Sequence, residues 1–574
     1  MTSSCDDTPW LLTVPAEIIL RILEYLDIPT LLTCLQVCRR FHDIVANSIT
    51  LQYNITLLAH GMHDNTQEDE VADIAHRFSM LTAYDQALKE LAWTNHETID
   101  LQDLWKPYVS DGYLVFQAKE RDAPVHGPTR LVVFQLPSAL RGIQARRWTL
   151  DFDFSASFYI VDVARDLLVI SCAESHNHQD LRPHLHLQCL STGDQHTLSQ
   201  TDGIIRLPEH RVPFGNFIEF CRIQGDHLAL VAASEQETSL VVWNWHSGIV
   251  IAELVLPQPF YGYSFLDDLH LVVAAVPFIW AGTQRSFLHV YSLERCARNP
   301  GILLTPWLEA TYKLPDNEIL RGIIRKPHFL CESPGQSLPI GHFYPDTTME
   351  TTALSLILEV FQDSGWGEFD LHIPSAVLLS HTRPPLQTKL DSSIASTNVS
   401  AWSGTPAPVI MPWNQWGQAV ICDIRTLSLF PSPLHLDPSL IGLPSTFGAR
   451  SVFRQAVVVQ RPLSPSPSPS PTSLSSADGD GRNATHRKME GRNALVLADY
   501  HPRRVARALA REDLHLKQGR TLVGGNDNED GVVKHERAYI RAEAVLPDEL
   551  QHLDPDCLCA AMCGDAVLMF QVSL

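Results

Sequence analysis

The chain has 574 residues, of which 45% are hydrophobic and 19% are charged, and its formal net charge is −22. This length is more than one hydrophobic core usually serves, so we expect either several globular domains or one large repeat domain. The strongly negative charge argues against a protein that binds nucleic acid or an anionic membrane, because such proteins need a basic face.

The sequence predicts an intracellular protein. Residues 1–9 are polar and acidic, so we expect a disordered N-terminus that lacks the basic and apolar segments of a secretory signal. The longest uncharged apolar run, from Leu271 to Gly282, falls short of the ~20 residues that a membrane-spanning helix needs. The 12 cysteines then indicate reduced thiols. We expect the cytoplasm, the nucleus or both.

Residues 14–45 carry the signals of three short helices. Pro15 suits the first helical position, where its missing N–H costs no hydrogen bond, and Glu17 follows in the first turn. Apolar residues recur at helical spacing as far as Leu26. The next residues, up to Pro29, interrupt this spacing, and Thr30 is predicted to cap a second helix. A third helix is predicted from Cys38 to Val45.

So much apolar surface in roughly forty residues argues for docking, since a chain of that size cannot bury it alone. The segment resembles the F-box. The family pattern of Leu-Pro-x-Glu-Ile, a Tyr-Leu-Asp turn, a Leu-Leu pair and Val-Cys-Arg-Arg before an aromatic residue is met from Val14 to Phe41. Two positions depart from it, because Val14 stands where Leu is usual and Phe41 where Trp is commoner.

The resemblance implies an F-box over residues 10–55 that docks onto a Skp-family adaptor. The residues predicted to bind the adaptor are Val14, Pro15, Ile18, Ile22, Leu26, Leu31, Leu35, Val37, Cys38 and Phe41. Through that adaptor the chain would join a cullin–RING ubiquitin ligase.

Residues 56–105 are predicted to be a linker that contains an amphipathic helix. A polar stretch from Gly61 to Glu70 precedes the helical spacing of residues 71–93. One face carries Ile74, Phe78, Leu81, Leu88 and Leu91, and the other mostly Arg77, Asp85, Lys89 and Glu90. Residues 81–93 are also similar to the segment that follows the F-box in a group of fungal F-box proteins.

Residues 106–574 are predicted to form a β-domain built from a repeated sequence pattern. Each unit is an acidic turn, an apolar strand, a polar loop and a second strand. The strand pairs are predicted at residues 113–116 and 129–136, 165–170 and 184–190, 225–231 and 240–244, and 267–273 and 287–293, with weaker copies at 353–361, 418–424, 493–498 and 564–572.

Intervals of roughly 40 to 70 residues between these repeated units are near the period of propeller blades. The run from Trp243 to Gly248 resembles the end of a WD-type blade, with Asn244 in place of Asp. The predicted fold is therefore an α-helical F-box region followed by a β-propeller of about seven or eight blades. A pair of β-sandwiches is the alternative. In the propeller, the strand at residues 566–572 would complete the final sheet, beside the strands near Tyr113–Phe116.

Two segments are predicted to be exposed loops. The Ser-Pro repeats and the polar stretch that follows, at about residues 462–492, cannot bury apolar surface and are predicted to be a disordered insertion in the β-domain. Residues 524–531 are predicted to be a second loop.

The sequence offers no catalytic, cofactor or metal site. Cys557, Cys559 and Cys563 form one cluster with the wrong spacing for structural zinc, so buried thiols are predicted there. His184 and His186 alternate along a strand that we expect to face solvent, without a carboxylate or cysteine at fixed spacing to complete a zinc site. No phosphate-binding loop, nucleophile elbow or zinc-protease helix occurs.

The predicted function is that of a non-catalytic substrate receptor, whose F-box binds the adaptor and whose β-domain recruits a protein substrate. The alternative is a scaffold that binds the adaptor outside any ligase. An enzyme within the β-domain is a third and less favoured interpretation.

Overall fold

The structure is a computed structural model of the full chain. It describes residues 14–65, 73–90, 104–118, 127–138, 141–175, 181–207, 212–213, 221–233, 238–256, 260–275, 286–299, 305–315, 322–329, 341–345, 353–362, 365–382, 408–416, 420–428, 446–447, 450–460, 489–499, 516–522, 533–545, 558–563 and 566–571. The predicted disordered N-terminus and the predicted loop at 524–531 lie outside these residues. In this described part of the chain, no helix is long and apolar enough to span a membrane.

Helices dominate the N-terminal part. They are α1 (Ala16–Glu24), α2 (Ile28–Val37), α3 (Arg39–Asn47), α4 (Ile49–Ala59) and α5 (Ile74–Glu90). Among the later strands of the described residues lie the short α-helices α6 (Glu294–Arg298), α7 (Ser375–Leu379) and α8 (Trp413–Trp416).

The start of α2 differs from the prediction. Asp27 precedes the helix as its N-cap, and Pro29 lies in its first turn. A proline is tolerated there because the first N–H groups of a helix have no intrahelical partner. The predicted N-cap, Thr30, is therefore three residues late, since the observed N-cap is Asp27 and α2 begins at Ile28. Helix α4 was not predicted. Ser48 caps it by accepting a hydrogen bond from the Leu51 N–H at 3.4 Å.

Four antiparallel sheets follow one another in the described residues between 104 and 313. The first sheet contains β2 (Leu104–Ser110), β3 (Tyr113–Ala118), β4 (Thr129–Gln135) and β5 (Arg146–Phe152). The second contains β6 (Ala156–Asp162), β7 (Leu167–Ser175), β8 (Leu181–Cys189) and β9 (Ile204–Arg206). The third contains β10 (Val212–Pro213), β11 (Cys221–Gln224), β12 (His227–Ala233), β13 (Thr238–Asn244) and β14 (Ile249–Val255). The fourth contains β15 (Phe260–Phe265), β16 (His270–Ala275), β17 (Phe287–Ser292) and β18 (Trp307–Lys313).

The remaining strands form a larger sheet and two small pairs, except for one that joins the fourth sheet. Their bounds are β19 (Gly322–Phe329), β20 (Phe343–Pro345), β21 (Ala353–Gln362), β22 (Gly365–Pro374), β23 (Val409–Met411), β24 (Ile421–Ser428), β25 (Thr446–Phe447), β26 (Arg450–Gln460), β27 (Met489–Asp499), β28 (Leu516–Leu522), β29 (Val533–Val545), β30 (Leu558–Cys563) and β31 (Ala566–Gln571). A nine-stranded sheet has the order β19-β21-β22-β24-β28-β29-β27-β26-β25, while β30 pairs with β31. β23 lies parallel to β18 in the fourth sheet, and a strand near the helices, β1 (Met62–Asp64), pairs with β20.

Successive sheets pack face to face, so the middle ones are buried on both sides. In β7, Leu168 and Ile170 join a core shared with the first sheet, while Leu167 and Val169 join a core shared with the third. The same alternation recurs in β12 and β16, and the fourth sheet shares its outer core with β19, β21 and β22. A strand buried on both faces is apolar at nearly every position. This is why the repeated strand pattern could be recognised in the sequence.

The predicted order of a helical region followed by a large β-rich region is confirmed. Each predicted strand pair falls on the two inner strands of one sheet: β3 and β4, β7 and β8, β12 and β13, or β16 and β17. The prediction that the strand bearing His184 faces solvent is wrong, because that side chain is 7% exposed. Cys557 and the side chains of β30 lie outside the described part.

The predicted position of the last strand is wrong. β31 pairs with β30, and β3, beside which we expected it, already has β2 on one side and β4 on the other. A strand with two neighbours has no free hydrogen-bonding edge to offer a third.

The Ser-Pro insertion connects two neighbouring strands. Residues 461–488 lie outside the described part, and the flanking strands β26 and β27 pair antiparallel, with Gln460 opposite Met489. The predicted insertion at 462–492 therefore ends too late, since residues 489–492 belong to β27.

We expect deletion of residues 464–486 to leave the fold intact. Shortening a flexible loop changes its closure entropy by about 1 kcal/mol or less, so the melting temperature should move by no more than roughly 4 °C. Calorimetry of the deletion variant beside the intact chain checks this. A fall of about 10 °C or more would mean that the segment packs against the β-region.

Candidate functional site

The first four helices close a small core of their own. Its buried members are Ile19, Leu23, Leu31, Phe41, Val45 and Leu51. Arg40 donates a hydrogen bond to the carbonyl oxygen of Val14 and so ties the chain entering α1 to α3. The core accounts for one face of α1, and the opposite face remains to be explained.

That opposite face is apolar and exposed. Ile18 is 52% exposed, Ile22 56% and Tyr25 88%, and their spacing of four and three residues places them along one side of α1. On α2, Leu32 is 40% exposed and Val37 66%. We call Ile18, Ile22, Tyr25, Leu32 and Val37 the apolar face. Three exposed large apolar side chains along one side of α1, with two more on α2, make these helices a candidate interaction surface.

The residues predicted to bind the adaptor divide into three groups by burial. Pro15, Ile18, Ile22 and Val37 are exposed, Val14, Leu26, Leu35 and Cys38 are half-buried, and Leu31 and Phe41 are buried. The buried pair belongs to the domain's own core, so a substitution there disturbs folding before it tests binding. The prediction did not include Tyr25 and Leu32, although the spacing from Ile18 through Ile22 already points to Tyr25.

A second apolar cluster joins the helices to the β-region. It contains Tyr53, Leu57, Met62, Leu81, Tyr84 and Phe343, contributed by α4, β1, α5 and β20. The rings of Tyr84 and Phe343 meet edge to face at 5.7 Å between centroids. We call this contact, together with the polar groups described next, the anchor.

An ion pair lies inside the anchor. Arg77 of α5, only 2% exposed, donates to Asp64 Oδ1 at 2.8 Å. The Tyr53 hydroxyl donates to the same oxygen at 3.0 Å. Burial, and then the charge of Asp64, raise the pKa of Tyr53, which therefore stays a protonated donor. The prediction that Arg77 lies on the polar face of its helix is wrong, because the side chain is buried; Asp64 of β1 compensates its charge there. Ile74, expected on the apolar face, is 38% exposed.

The anchor continues to Arg141, between β4 and β5 of the first sheet, through hydrogen bonds to backbone carbonyls. Asn65 donates its side-chain amide to the Gly341 carbonyl at 2.8 Å, and the His342 N–H donates to the Arg141 carbonyl at 2.9 Å. Arg141, 5% exposed, returns a hydrogen bond to the Phe343 carbonyl at 3.1 Å. Gly341 has φ +82°, and a Cβ there would lie 2.3 Å from the Arg141 carbonyl oxygen. Only glycine fits this approach.

We expect Arg77→Ala to destabilise the protein by about 3–5 kcal/mol, because it leaves the Asp64 charge without the cation that it faces in a largely buried setting. The free energy of unfolding from chemical denaturation measures the effect. Arg21→Ala is the control: its ion pair with Glu24 spans 3.1 Å, but the arginine is 77% exposed, so its loss should cost about 0–1 kcal/mol. Equal effects of the two substitutions would contradict the role given to the anchor.

The F-box-like family matches residues 11–57, and no curated protein matches the chain. An uncharacterized protein from Listeria monocytogenes EGD-e is similar in structure at 10% identity and TM-score 0.25, over 48% of this chain and 69% of that one. The β-propeller domain of the Trilobed protease from Pyrococcus furiosus is similar at 10% identity and TM-score 0.25, over 46% of this chain and 80% of that one. The acylaminoacyl peptidase of Pyrococcus horikoshii is similar at 8% identity and TM-score 0.24, over 46% of this chain and 44% of that one.

These TM-scores are too low to support any conclusion about the fold. The family match, in contrast, covers α1, α2, α3 and most of α4. It includes every residue of the apolar face and every residue predicted to bind an adaptor. The resemblance predicted from sequence is confirmed: residues 11–57 form an F-box-like domain at the N-terminal end of this chain.

Proposed function

We propose that this chain is the substrate-receptor subunit of a Skp–cullin–F-box ubiquitin ligase. The observation that carries the proposal is the apolar face of the F-box-like domain, exposed although the domain has a closed core. Its occupant is a Skp-type adaptor, the partner that the F-box resemblance implies. These side chains are 40% to 88% exposed, so the complete burial of each contributes about 1–2 kcal/mol. Together they offset a good part of the cost of association.

The β-region supplies the substrate-binding half of this function. We infer that it is a closed propeller of about seven or eight blades, in which the four consecutive antiparallel sheets are blades. Their face-to-face packing in chain order supports this, because a propeller repeats one sheet around an axis and leaves only short strand edges. The loops at one end of its channel would hold a protein substrate.

The anchor bears on how such a receptor would work. A receptor contributes proximity: it holds a substrate lysine near the charged conjugating enzyme and so raises the effective concentration. The ion pair of the buried Arg77 with Asp64 and the backbone contacts of Gly341 and Arg141 support a fixed orientation between the helices and the first sheet. The chain then needs no catalytic residue of its own, and it would act in the cytoplasm, the nucleus or both.

We expect Ile22→Asp and Val37→Asp each to weaken adaptor binding by at least roughly 100-fold, since a buried unpaired charge costs several kcal/mol. Titration of purified adaptor against the full chain, followed by calorimetry or interferometry, measures the affinity. Both positions are more than half exposed, so the variants should remain folded.

The matched control is Leu198→Asp, which makes the same chemical change at a side chain that is 56% exposed in the β-region. It should bind the adaptor like the unchanged chain. Unaltered binding by both Ile22→Asp and Val37→Asp would refute the apolar face as the docking surface. Leu31→Asp is a poorer test, because Leu31 is 1% exposed in the domain core.

An F-box scaffold that binds the adaptor outside any ligase is the second candidate, because the apolar face serves both functions equally. Co-purification separates them. We expect tagged full-length chain to recover a cullin together with the adaptor, and the Ile22→Asp variant to recover neither. Recovery of the adaptor without a cullin would favour the scaffold, provided that other F-box proteins recover a cullin from the same lysate.

A further inference from the structure

The fold brings a cysteine and two histidines together between the first and second sheets. Cys172 of β7 lies directly opposite His184 of β8 in the antiparallel register, and His186 is two residues further along the same strand. Side chains two residues apart point to one face of a sheet, and directly opposed residues share that face. All three therefore project from the face that carries Ile170 and packs against the first sheet.

The distances suit a metal ion. One potential ligand atom from each of Cys172, His184 and His186 lies within 4.8 Å of the other two. In a tetrahedral zinc site, bonds of about 2.3 Å to sulfur and 2.0–2.1 Å to nitrogen place the ligand atoms roughly 3.3–3.6 Å apart. Side-chain rotations that move these atoms by on the order of 1 Å would close the site around zinc, without any change in strand register.

The surroundings hold the ligands in place. Cys172 is 3% exposed and His184 7%. The ring of His186 stacks on Phe154 with centroids 4.0 Å apart and planes 9° apart, which fixes its plane. β8 is an inner strand, paired with β7 on one side and β9 on the other. A site on such a strand is held more precisely than one on a loop.

We propose that Cys172, His184 and His186 form a zinc-binding site that cross-links β7 and β8. A thiolate and two imidazoles are ligands that suit zinc rather than magnesium or calcium, which prefer oxygen. Three protein ligands leave one tetrahedral position for a water molecule. The thiol proton passes to solvent as the metal binds, because zinc takes the thiolate.

The sequence did not reveal this site because its third ligand comes from another strand. His184 and His186 are recognisable as an alternating pair, but Cys172 lies on the preceding strand, more than ten residues earlier in the sequence. Only the register of the hairpin places it opposite His184.

Zinc content of the purified full-length chain tests the proposal. The protein is stripped with a chelator, reloaded with zinc alone and analysed by mass spectrometry for bound metal. We expect one tightly bound ion per chain. Removing even a residue outside the ligand shell costs about 10–100-fold in metal affinity, so Cys172→Ser and His184→Gln should lose at least that much. Cys189→Ser, on the face of β8 opposite to His184, should keep the ion.

X-ray absorption of the zinc-loaded unaltered chain reads the ligands without relying on a variant to fold. One sulfur at about 2.3 Å together with nitrogen or oxygen at about 2.0–2.1 Å supports the site. The proposal is overturned by a chain that binds no zinc tightly, by zinc with no sulfur or several sulfurs, or by retention of the ion in folded Cys172→Ser.

Discussion

Burial on both faces is the constraint on which the β-region depends. A sheet such as β6–β9 has apolar side chains on each side, so it cannot be stable unless a neighbouring sheet covers each face. Leu168 and Ile170 need the first sheet, while Leu167 and Val169 need the third. The second, third and fourth sheets thus each stabilise two neighbours, and shared cores link the first sheet through to β19, β21 and β22. The F-box-like domain is different, because its core closes within four helices.

The anchor joins these two kinds of structure. It combines apolar packing, a buried ion pair and backbone hydrogen bonds that reach the turn at Arg141. A flexible tether would leave the helices and the first sheet free to reorient. The sequence predicts a polar linker at β1. In the structure β1 is a strand instead, and the strand that it pairs with, β20, lies more than 270 positions later. The proposed receptor would therefore present its substrate at a defined distance from the adaptor.

Sequence reasoning found what local pattern determines. The F-box motif from Val14 to Phe41 and the inner strands of the first four sheets are visible because helical spacing and two-sided burial leave continuous signals. The outer strands escaped notice: β5 alternates exposed and buried positions and begins with two arginines. Pairings between distant segments escaped for a different reason. Neither Arg77 beside Asp64 nor Cys172 beside His184 can be read without strand register.

The pairing of β1 with β20 also has a consequence for synthesis on the ribosome. Helices α4 and α5 bury Leu57 and Leu81 against Phe343, which is translated long after them. At about 5–20 residues per second, the some 280 intervening residues take roughly 15–60 s to appear. The F-box-like core can fold during that interval, but the apolar side of α4 and α5 stays uncovered until Phe343 has been synthesised. A chaperone that covers this side would act on the nascent chain before the receptor is complete.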